Sequence, residues 1–115
     1  MKTLKNCIKL SCCIKIYVPS TVNVNVSMEN SQYVNDTLAL LSSKFGGATA
    51  SKALGAWVAK SGQLVTEKVD LVFAYATSEQ LEEHIDLIHS YCIGLKHSLS
   101  QEAIALEVNG ELYLV

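Results

Sequence analysis

Alternation of apolar and polar residues marks the first regular element of the chain. Residues 14–18 read Ile-Lys-Ile-Tyr-Val. This period of two and its β-branched side chains predict a strand that ends at Pro19 and begins at Ile14 or as early as Ile8. Residues 20–30 alternate Val with Asn and Ser, which predicts either an extended loop or a short edge strand.

A helical period replaces the alternation after residue 30. Apolar side chains step by four, three and four along one helical face: Val34, Leu38, Leu41 and Phe45. Asn30 or Ser31 supplies a suitable side-chain oxygen for the helix N-terminus. Gly46-Gly47 predicts the end of this helix, because the residue that follows a helix often adopts a positive φ.

Two strands joined by a tight turn are predicted next, at residues 48–59 and 65–75. The turn Lys60-Ser61-Gly62 suits a three-residue hairpin loop with its glycine in the left-handed position. That register places Trp57 opposite Val65, whereas a two-residue loop would place it opposite Thr66.

A second helix is predicted over residues 78–99. Thr77-Ser78-Glu79-Gln80 is a capping box, with a hydroxyl first and Gln three residues later. One apolar stripe follows: Leu81, Ile85, Ile88, Cys92, Leu95 and Leu99. A glycine such as Gly94 lowers helix stability by about 1 kcal/mol relative to Ala. Its presence inside the predicted helix therefore indicates a kink or a close approach of another segment there.

The chain closes with a hairpin, because Asn109-Gly110 separates two β-rich stretches at 103–108 and 111–115. The predicted fold class is therefore α+β, with the ferredoxin-like order β-α-β-β-α-β. It has a four-stranded antiparallel sheet, two helices on one face and an added C-terminal hairpin strand. We expect one domain over residues 1–115. The other sheet face must then meet water, a ligand or another subunit.

Composition narrows the classes of function. The 115 residues are 50% hydrophobic and 17% charged, with a net charge of −2, which excludes a wholly disordered chain. The same charge excludes nucleic-acid binding through net charge alone, and all nine basic residues are Lys, so bidentate capture of phosphate or guanine by Arg is absent. No apolar run reaches the length of a membrane helix. We therefore expect no nucleic-acid partner and no membrane partner.

The basic start and the cysteines favour a cytoplasmic protein. Residues 1–12 either form a flexible basic start or run directly into the first strand, and Lys residues interrupt every stretch that a secretion signal would need. The four cysteines, Cys7, Cys12, Cys13 and Cys92, include no Cys-x-x-Cys pair and are expected to be reduced thiols. His84, His89 and His97 share one helix without further ligands, so neither a metal nor a cofactor is expected.

Glu67 is the candidate catalytic residue. The alternation of the 65–75 strand places its carboxylate on the same side as Val65 and Val69. A buried ion costs several kcal/mol unless it is paired or protonated, so Glu67 is either a proton-transfer group or ligand anchor, or it lies at the exposed strand end. A partner from Lys15, Tyr17 or Thr49 is expected if it is buried.

Five other residues are candidate binding residues: Tyr17, Trp57, Tyr75, Gln101 and Glu102. Trp57 is either a core residue or a stacking residue on the open sheet face. Gln101-Glu102 leads into the 103–108 strand, where Glu102 either meets Glu67 as a carboxylate pair or lies in a solvated loop.

Several of these residues also carry a family resemblance. Gly55-Ala56-Trp57, Gly62 to Glu67, Tyr91 and Gln101-Glu102-Ala103-Ile104 occur in the order of a motif set. The chain thereby resembles an uncharacterised bacterial family of small α+β domains, known as a domain of unknown function, over roughly residues 14–108. It departs from that family at Gly46-Gly47-Ala48 and lacks a convincing secretion signal. It also resembles small accessory proteins of phages and plasmids. The resemblance implies a fold but no reaction.

Three functions follow as hypotheses. The leading prediction is a non-enzymatic binding module, a homodimer that holds a host protein or a small ligand on its open sheet face. The alternative is a cofactor-free enzyme, of oxygenase or isomerase type, with Tyr17, Trp57, Glu67 and Tyr75 lining a cavity between sheet and helices. The third is a mobile-element accessory protein that acts on host machinery.

Overall fold

The computed structural model of the chain describes residues 2–22 and 26–115. After a 3₁₀ turn at Lys2–Leu4, the elements in chain order are β1 (Cys12–Pro19), β2 (Thr21–Val22), β3 (Val26–Ser27), α1 (Ser31–Phe45), β4 (Thr49–Val58), β5 (Leu64–Ala76), α2 (Ser78–Ser98), β6 (Ala105–Val108) and β7 (Glu111–Leu114). The class is α+β, as predicted. No helix in the described part of the chain is long and apolar enough to cross a membrane.

One antiparallel sheet of five strands forms the frame, in the order β4-β5-β1-β6-β7. The sequence predicted four strands with an added hairpin strand, and the strand count is corrected here because β7 pairs with β6 along its whole length. The Asn109-Gly110 turn between these strands has both residues at positive φ, 53° and 83°, which matches the twist of the strands it joins.

The core lies between the sheet and the two helices. Ile14, Ile16 and Val18 of β1 point to this side and are fully buried, while the residues between them are half-buried on the other face. The helices contribute the apolar side of each stripe: Leu41, Phe45, Ile88, Cys92, Leu95 and, just past the end of α2, Leu99. Helix packing on one side leaves the opposite side, the open face, to carry Glu67, Tyr17 and Trp57.

The β4–β5 hairpin extends beyond this core. Its register is the predicted one: Trp57 lies opposite Val65, and Gly62 closes the turn at φ 88°. β1 pairs with β5 only as far as Pro19 opposite Val69, so residues 64–68 run past the end of β1. The chain is 53 Å long with a radius of gyration of 15.7 Å, above the ~13 Å of a compact chain of this size.

The helix ends follow the sequence signals except at the start of α1, where Asn30 is the N-cap residue but makes no side-chain capping bond, because its side chain bonds the Pro19 carbonyl and Asp70 instead. α1 ends at Gly46, which adopts φ 90°. α2 begins with both bonds of the predicted capping box between Thr77 and Gln80. At Gly94 a Cβ atom would meet nothing within 4 Å, so the predicted close approach is wrong.

The segment between β1 and α1 lies beside the free edge of β5. β2 and β3 pair with each other as a separate two-stranded sheet, so part of residues 20–30 forms short strands that are not an edge of the main sheet. Residues 23–25, on which the rest of that prediction falls, lie outside the described residues. The segment brings Ser20 and Thr21 against the part of β5 that β1 leaves unpaired.

Candidate functional site

Glu67 lies on the open face of β5, opposite Gly55 of β4, and is half-buried. The Thr21 hydroxyl donates to Glu67 Oε1 at 2.8 Å. The partner was expected to be Lys15, Tyr17 or Thr49, and that expectation is wrong. The short β2 strand supplies the hydroxyl because it takes the place of β1 along this end of β5.

Lys15 and Tyr17 have a different carboxylate as their partner. The Tyr17 hydroxyl donates to Glu107 Oε1 at 3.1 Å, and Lys15 Nζ lies 3.7 Å from Glu107 Oε2. Burial, together with the hydrogen bond and negative charge of Glu107, raises the pKa of the Tyr17 phenol. Lys15 also lies over the Phe73 ring, 5.8 Å from its centroid. Glu107 was not among the candidate residues predicted from the sequence, although the alternation of its strand places its side chain on the open face.

An open cleft of about 600 Å³ lies between the hairpin and the β2–β3 segment. We call it the Glu67 cleft. It is lined by Ser20, Thr21, Ser27, Met28, Leu54, Trp57, Val65, Thr66, Glu67 and Lys68. Trp57 is 43% exposed, so it belongs to the open face rather than the core. One carboxylate, one aromatic face and several hydroxyls therefore surround a space of ligand size.

A smaller pocket of about 160 Å³ touches Glu67 from the other side, with Tyr17 and Gln101 in its lining. Gln101 Nε2 donates to the Thr21 carbonyl at 3.0 Å and to the Leu99 carbonyl at 3.3 Å. Thr21 is therefore held through its carbonyl while its hydroxyl holds Glu67. Gln101 positions the residue that positions the carboxylate.

Two of the sequence candidates lie apart from this group. Tyr75 lines a separate cavity near the other end of β5 and packs edge-on against Phe73, with ring centroids 6.2 Å apart. Glu102 is exposed in the connection between α2 and β6. The structure brings together Trp57 and Glu67 in one cleft, and Tyr17, Glu67 and Gln101 in the pocket beside it.

A second cavity of about 600 Å³ adjoins the Glu67 cleft and shares four of its lining residues. We call it the charged cavity. It is lined by Ser20, Met28, Glu29, Asn30, Lys52, Ala53, Leu54, Lys68, Val69 and Asp70. The sequence patterns did not indicate it beyond the position of Asp70 within a strand, since its polar residues come from β4, β5 and the connections on either side of β2 and β3.

His84 is not at the site. Its ring packs edge-on against Phe45, with ring centroids 5.8 Å apart. Within residues 2–22 and 26–115, no three His, Cys, Asp or Glu side chains gather in a way that would hold a metal ion.

Comparison with known proteins relates the fold to an enzyme. No known family profile matches the chain, so the predicted membership of a domain family stays a prediction, and no curated protein matches it either. A solved structure of a phage SAM lyase in complex with S-methyl-5′-thioadenosine is 18% identical, with a TM-score of 0.67, over 97% of this chain and 94% of that one. A phage SAM lyase in its apo state is 20% identical, with a TM-score of 0.62, over 91% and 88% of the two chains.

These neighbours correct the leading functional prediction. At such identities the likeness establishes the fold alone, yet both of these neighbours are lyases rather than binding modules. The prediction of a non-enzymatic module that acts on a host protein is therefore wrong, and the enzyme alternative agrees better with the comparison. The phage origin of both neighbours fits the predicted likeness to phage accessory proteins.

Proposed function

We propose that this chain is a lyase that cleaves S-adenosylmethionine (SAM) in the Glu67 cleft and releases S-methyl-5′-thioadenosine. One observation carries the proposal: a chain that shares its fold with a phage SAM lyase over almost its full length also has a carboxylate and a partly exposed tryptophan in one cleft. The oxygenase and isomerase reactions considered from the sequence have no comparable support.

The cleft suits a sulfonium nucleoside. SAM carries a positive charge on sulfur, and the Glu67 carboxylate attracts a cation in a partly desolvated site. The Thr21 hydroxyl occupies one carboxylate oxygen at 2.8 Å, which leaves the other oxygen free for a ligand. The exposed face of Trp57 offers a stacking surface for adenine or a cation–π contact for the sulfonium.

The reaction can be written without a bound cofactor. The bond between sulfur and the γ-carbon of the amino-acid chain breaks, and its electron pair goes to sulfur, which becomes the neutral thioether of S-methyl-5′-thioadenosine. The carbon fragment either loses a proton from its β-carbon to a base and forms a double bond, or accepts its own carboxylate oxygen at the γ-carbon and forms a lactone. Glu67 is the candidate base for the first course and an electrostatic anchor for the second.

The two roles of Glu67 have different kinetic effects. A carboxylate that only attracts the sulfonium stabilises the substrate at least as well as the transition state, in which that charge is disappearing, so its loss raises KM. A carboxylate that accepts the proton acts in the transition state, so its loss lowers kcat. In both cases the neutral product is held less tightly than the substrate, which favours its release.

The test is to incubate the purified protein with SAM and measure S-methyl-5′-thioadenosine by chromatography. Native protein is expected to produce it, and Glu67→Gln is expected to lose at least 100-fold in kcat/KM, about the low end of the effect of a general base. Glu102→Gln is the matched control, since Glu102 lies outside both cavities, and should retain full activity. No product from the native protein, or equal activity of both variants, would contradict the proposal.

The finer features of the fold and the assembly belong to the same proposal. The order β4-β5-β1-β6 supports a ferredoxin-like frame extended by β7. Exposed apolar side chains on the hairpin, Leu54, Val58 and Leu64, support a homo-oligomer, and we propose a dimer. Sedimentation of a 12.5 kDa species at micromolar concentration would contradict the dimer.

The cysteines bear on the location of the protein. All four are free, which supports a cytoplasmic location.

A further inference from the structure

We infer that the charged cavity binds the amino-acid end of the substrate, with Lys68 receiving its carboxylate and Glu29 its ammonium group. This assignment rests on the proposed function, because it takes an adenosyl sulfonium compound as the ligand of the adjoining Glu67 cleft. It adds a recognition site for the part of the substrate that S-methyl-5′-thioadenosine lacks.

The floor of the charged cavity is a fixed polar network. Asp70 is 8% exposed, and its Oδ1 accepts a hydrogen bond from Asn30 Nδ2 at 2.9 Å. The same Asn30 nitrogen donates to the Pro19 carbonyl at 3.1 Å. Lys52 Nζ lies 3.5 Å from Asp70 Oδ2. Lys52 is an exposed side chain, so its charge offsets that of Asp70 only weakly, while the Asn30 hydrogen bonds anchor the start of α1 to β5.

Glu29 is a fixed negative charge at the rim. Its Oε1 accepts from the Ser31 N–H at 2.9 Å and also from the Ser31 hydroxyl. These hydrogen bonds, with a smaller contribution from the positive charge of Lys52, lower the pKa of the Glu29 carboxyl. The carboxylate therefore stays ionised at neutral pH, and its second oxygen is available to an ammonium group.

Lys68 is the cation at the junction. It lines both the Glu67 cleft and the charged cavity, and the Ser20 hydroxyl holds its carbonyl. Within the described ranges, no carboxylate lies within 4 Å of its amine. Alternation directs Glu67 and Lys68 to opposite faces of β5, so a ligand with its sulfonium at Glu67 reaches Lys68 only by extending its amino-acid arm along the residues that line both cavities: Ser20, Met28, Leu54 and Lys68.

The positive and negative side chains of the charged cavity together indicate the class of ligand that it binds. The Lys68 ammonium and the Glu29 carboxylate match a zwitterion, which carries one carboxylate and one ammonium group. A phosphate would meet the carboxylates of Glu29 and Asp70 as well as the lysines, and it would find no guanidinium to bind it bidentately. The cavity therefore fits an α-amino acid end better than a nucleotide phosphate.

The test compares three non-cleavable ligands by calorimetry. S-Adenosylhomocysteine has the amino-acid end and a neutral sulfur, 5′-dimethylsulfonio-5′-deoxyadenosine has the charged sulfur alone, and S-methyl-5′-thioadenosine has neither. Lys68→Met is expected to weaken S-adenosylhomocysteine about tenfold, the effect of one charge-assisted hydrogen bond, and to leave the other two ligands unchanged. Lys68→Arg should keep most of the affinity, and Lys9→Met, an exposed lysine before β1, is the charge-matched control.

The outcomes separate this assignment from the proposed function. If the native chain binds all three ligands and Lys68→Met weakens them equally or not at all, the amino-acid site is wrong while the proposed function stands. If Lys9→Met weakens S-adenosylhomocysteine binding as much as Lys68→Met does, the effect comes from net charge alone, and the assignment is overturned too. If the native chain binds none of the three ligands, the proposed function fails and the assignment fails with it.

Discussion

At the residue scale, Thr21 makes hydrogen bonds to two other residues of the candidate site. Its hydroxyl donates to Glu67, and its carbonyl accepts from Gln101, a residue 80 positions away in the chain. A two-residue strand thereby links the catalytic candidate in β5 to the connection that follows α2. The Glu67 carboxylate is positioned by a hydrogen bond rather than by a salt bridge, because the lysines of the sheet are paired elsewhere or face away from it.

We predict that Thr21→Val reduces the proposed lyase activity with little change in fold. Valine keeps the shape and the backbone carbonyl that Gln101 binds, but it cannot donate to Glu67. The expected loss is about tenfold in kcat/KM, the worth of one hydrogen bond to a charged group. Steady-state rates measure the activity, and circular dichroism checks the fold. Thr66→Val, at an exposed position of the same cleft, should cost less, and an equal loss would remove the role given to Thr21.

Asn30 gives a second prediction at this scale, for stability. Asn30→Ala removes both hydrogen bonds of Nδ2 and leaves the buried Asp70 carboxylate short of a donor, so we expect a loss of about 1–3 kcal/mol in the free energy of unfolding. Urea denaturation measures it. Asn35→Ala, on the exposed face of α1, is the control, and it should change stability little. A neutral Asn30→Ala would mean that the network contributes nothing to the fold.

At the scale of the element, α2 contains a glycine that lowers its stability. Gly94 is exposed in the last third of a 21-residue helix, and a Cβ atom there would meet nothing within 4 Å. Gly94→Ala is therefore expected to stabilise the protein by about 0.5–1 kcal/mol, since glycine loses more backbone entropy than alanine in a helix. Thermal unfolding monitored by circular dichroism measures the gain.

Gly46 is the matched control for this prediction. It follows α1 at φ 90°, where an L side chain is strained, so Gly46→Ala should destabilise the protein although space is available. A destabilising Gly94→Ala would show that the helix needs the glycine for a reason other than space.

At the scale of the whole molecule, alkaline pH should destabilise the folded chain. Burial raises the pKa of the Cys92 thiol from 9.0 to about 12, and Cys92 is fully buried in the core. Between these values the unfolded thiol has lost its proton while the folded thiol retains it. The unfolded state therefore binds fewer protons, and stability falls as pH rises from about 9 to about 12, by up to about 1.4 kcal/mol per pH unit.

Urea denaturation at several pH values from 8 to 11 measures this slope. Cys92→Ala is expected to be less stable at pH 8 and to show a slope that is shallower by about one proton, so its deficit relative to the native protein shrinks as pH rises. The phenols of Tyr17 and Tyr91, whose pKa values are also raised by burial, maintain part of the decline. Cys7→Ala, at an exposed thiol, should follow the native slope. Identical slopes in all three proteins would contradict the prediction.

Local patterns predicted most of the elements of this protein. The stripe from Val34 to Phe45 gave α1, the capping box at Thr77 gave the start of α2, and the turn at Gly62 gave the pairing of Trp57 with Val65. These signals succeed because caps, turns and periodicity depend on residues within a few positions of one another. The partners of Glu67 and Glu107 depend on contacts across 46 and 90 positions, which no local pattern contains.

The sequence by itself determined the order of the helices and of the strands of the main sheet, and the face of β5 that carries Glu67. Only the tertiary structure decided that this face is open, that β1 stops short of Glu67, and that Thr21 takes the place of a lysine as its partner. The physical reason is that alternation fixes which residues share a side of a strand, while the packing of α1 and α2 decides which side is buried. The charged cavity likewise depends on a long-range contact, because Asn30, just before α1, joins the Pro19 carbonyl at the end of β1 to Asp70 in the hairpin.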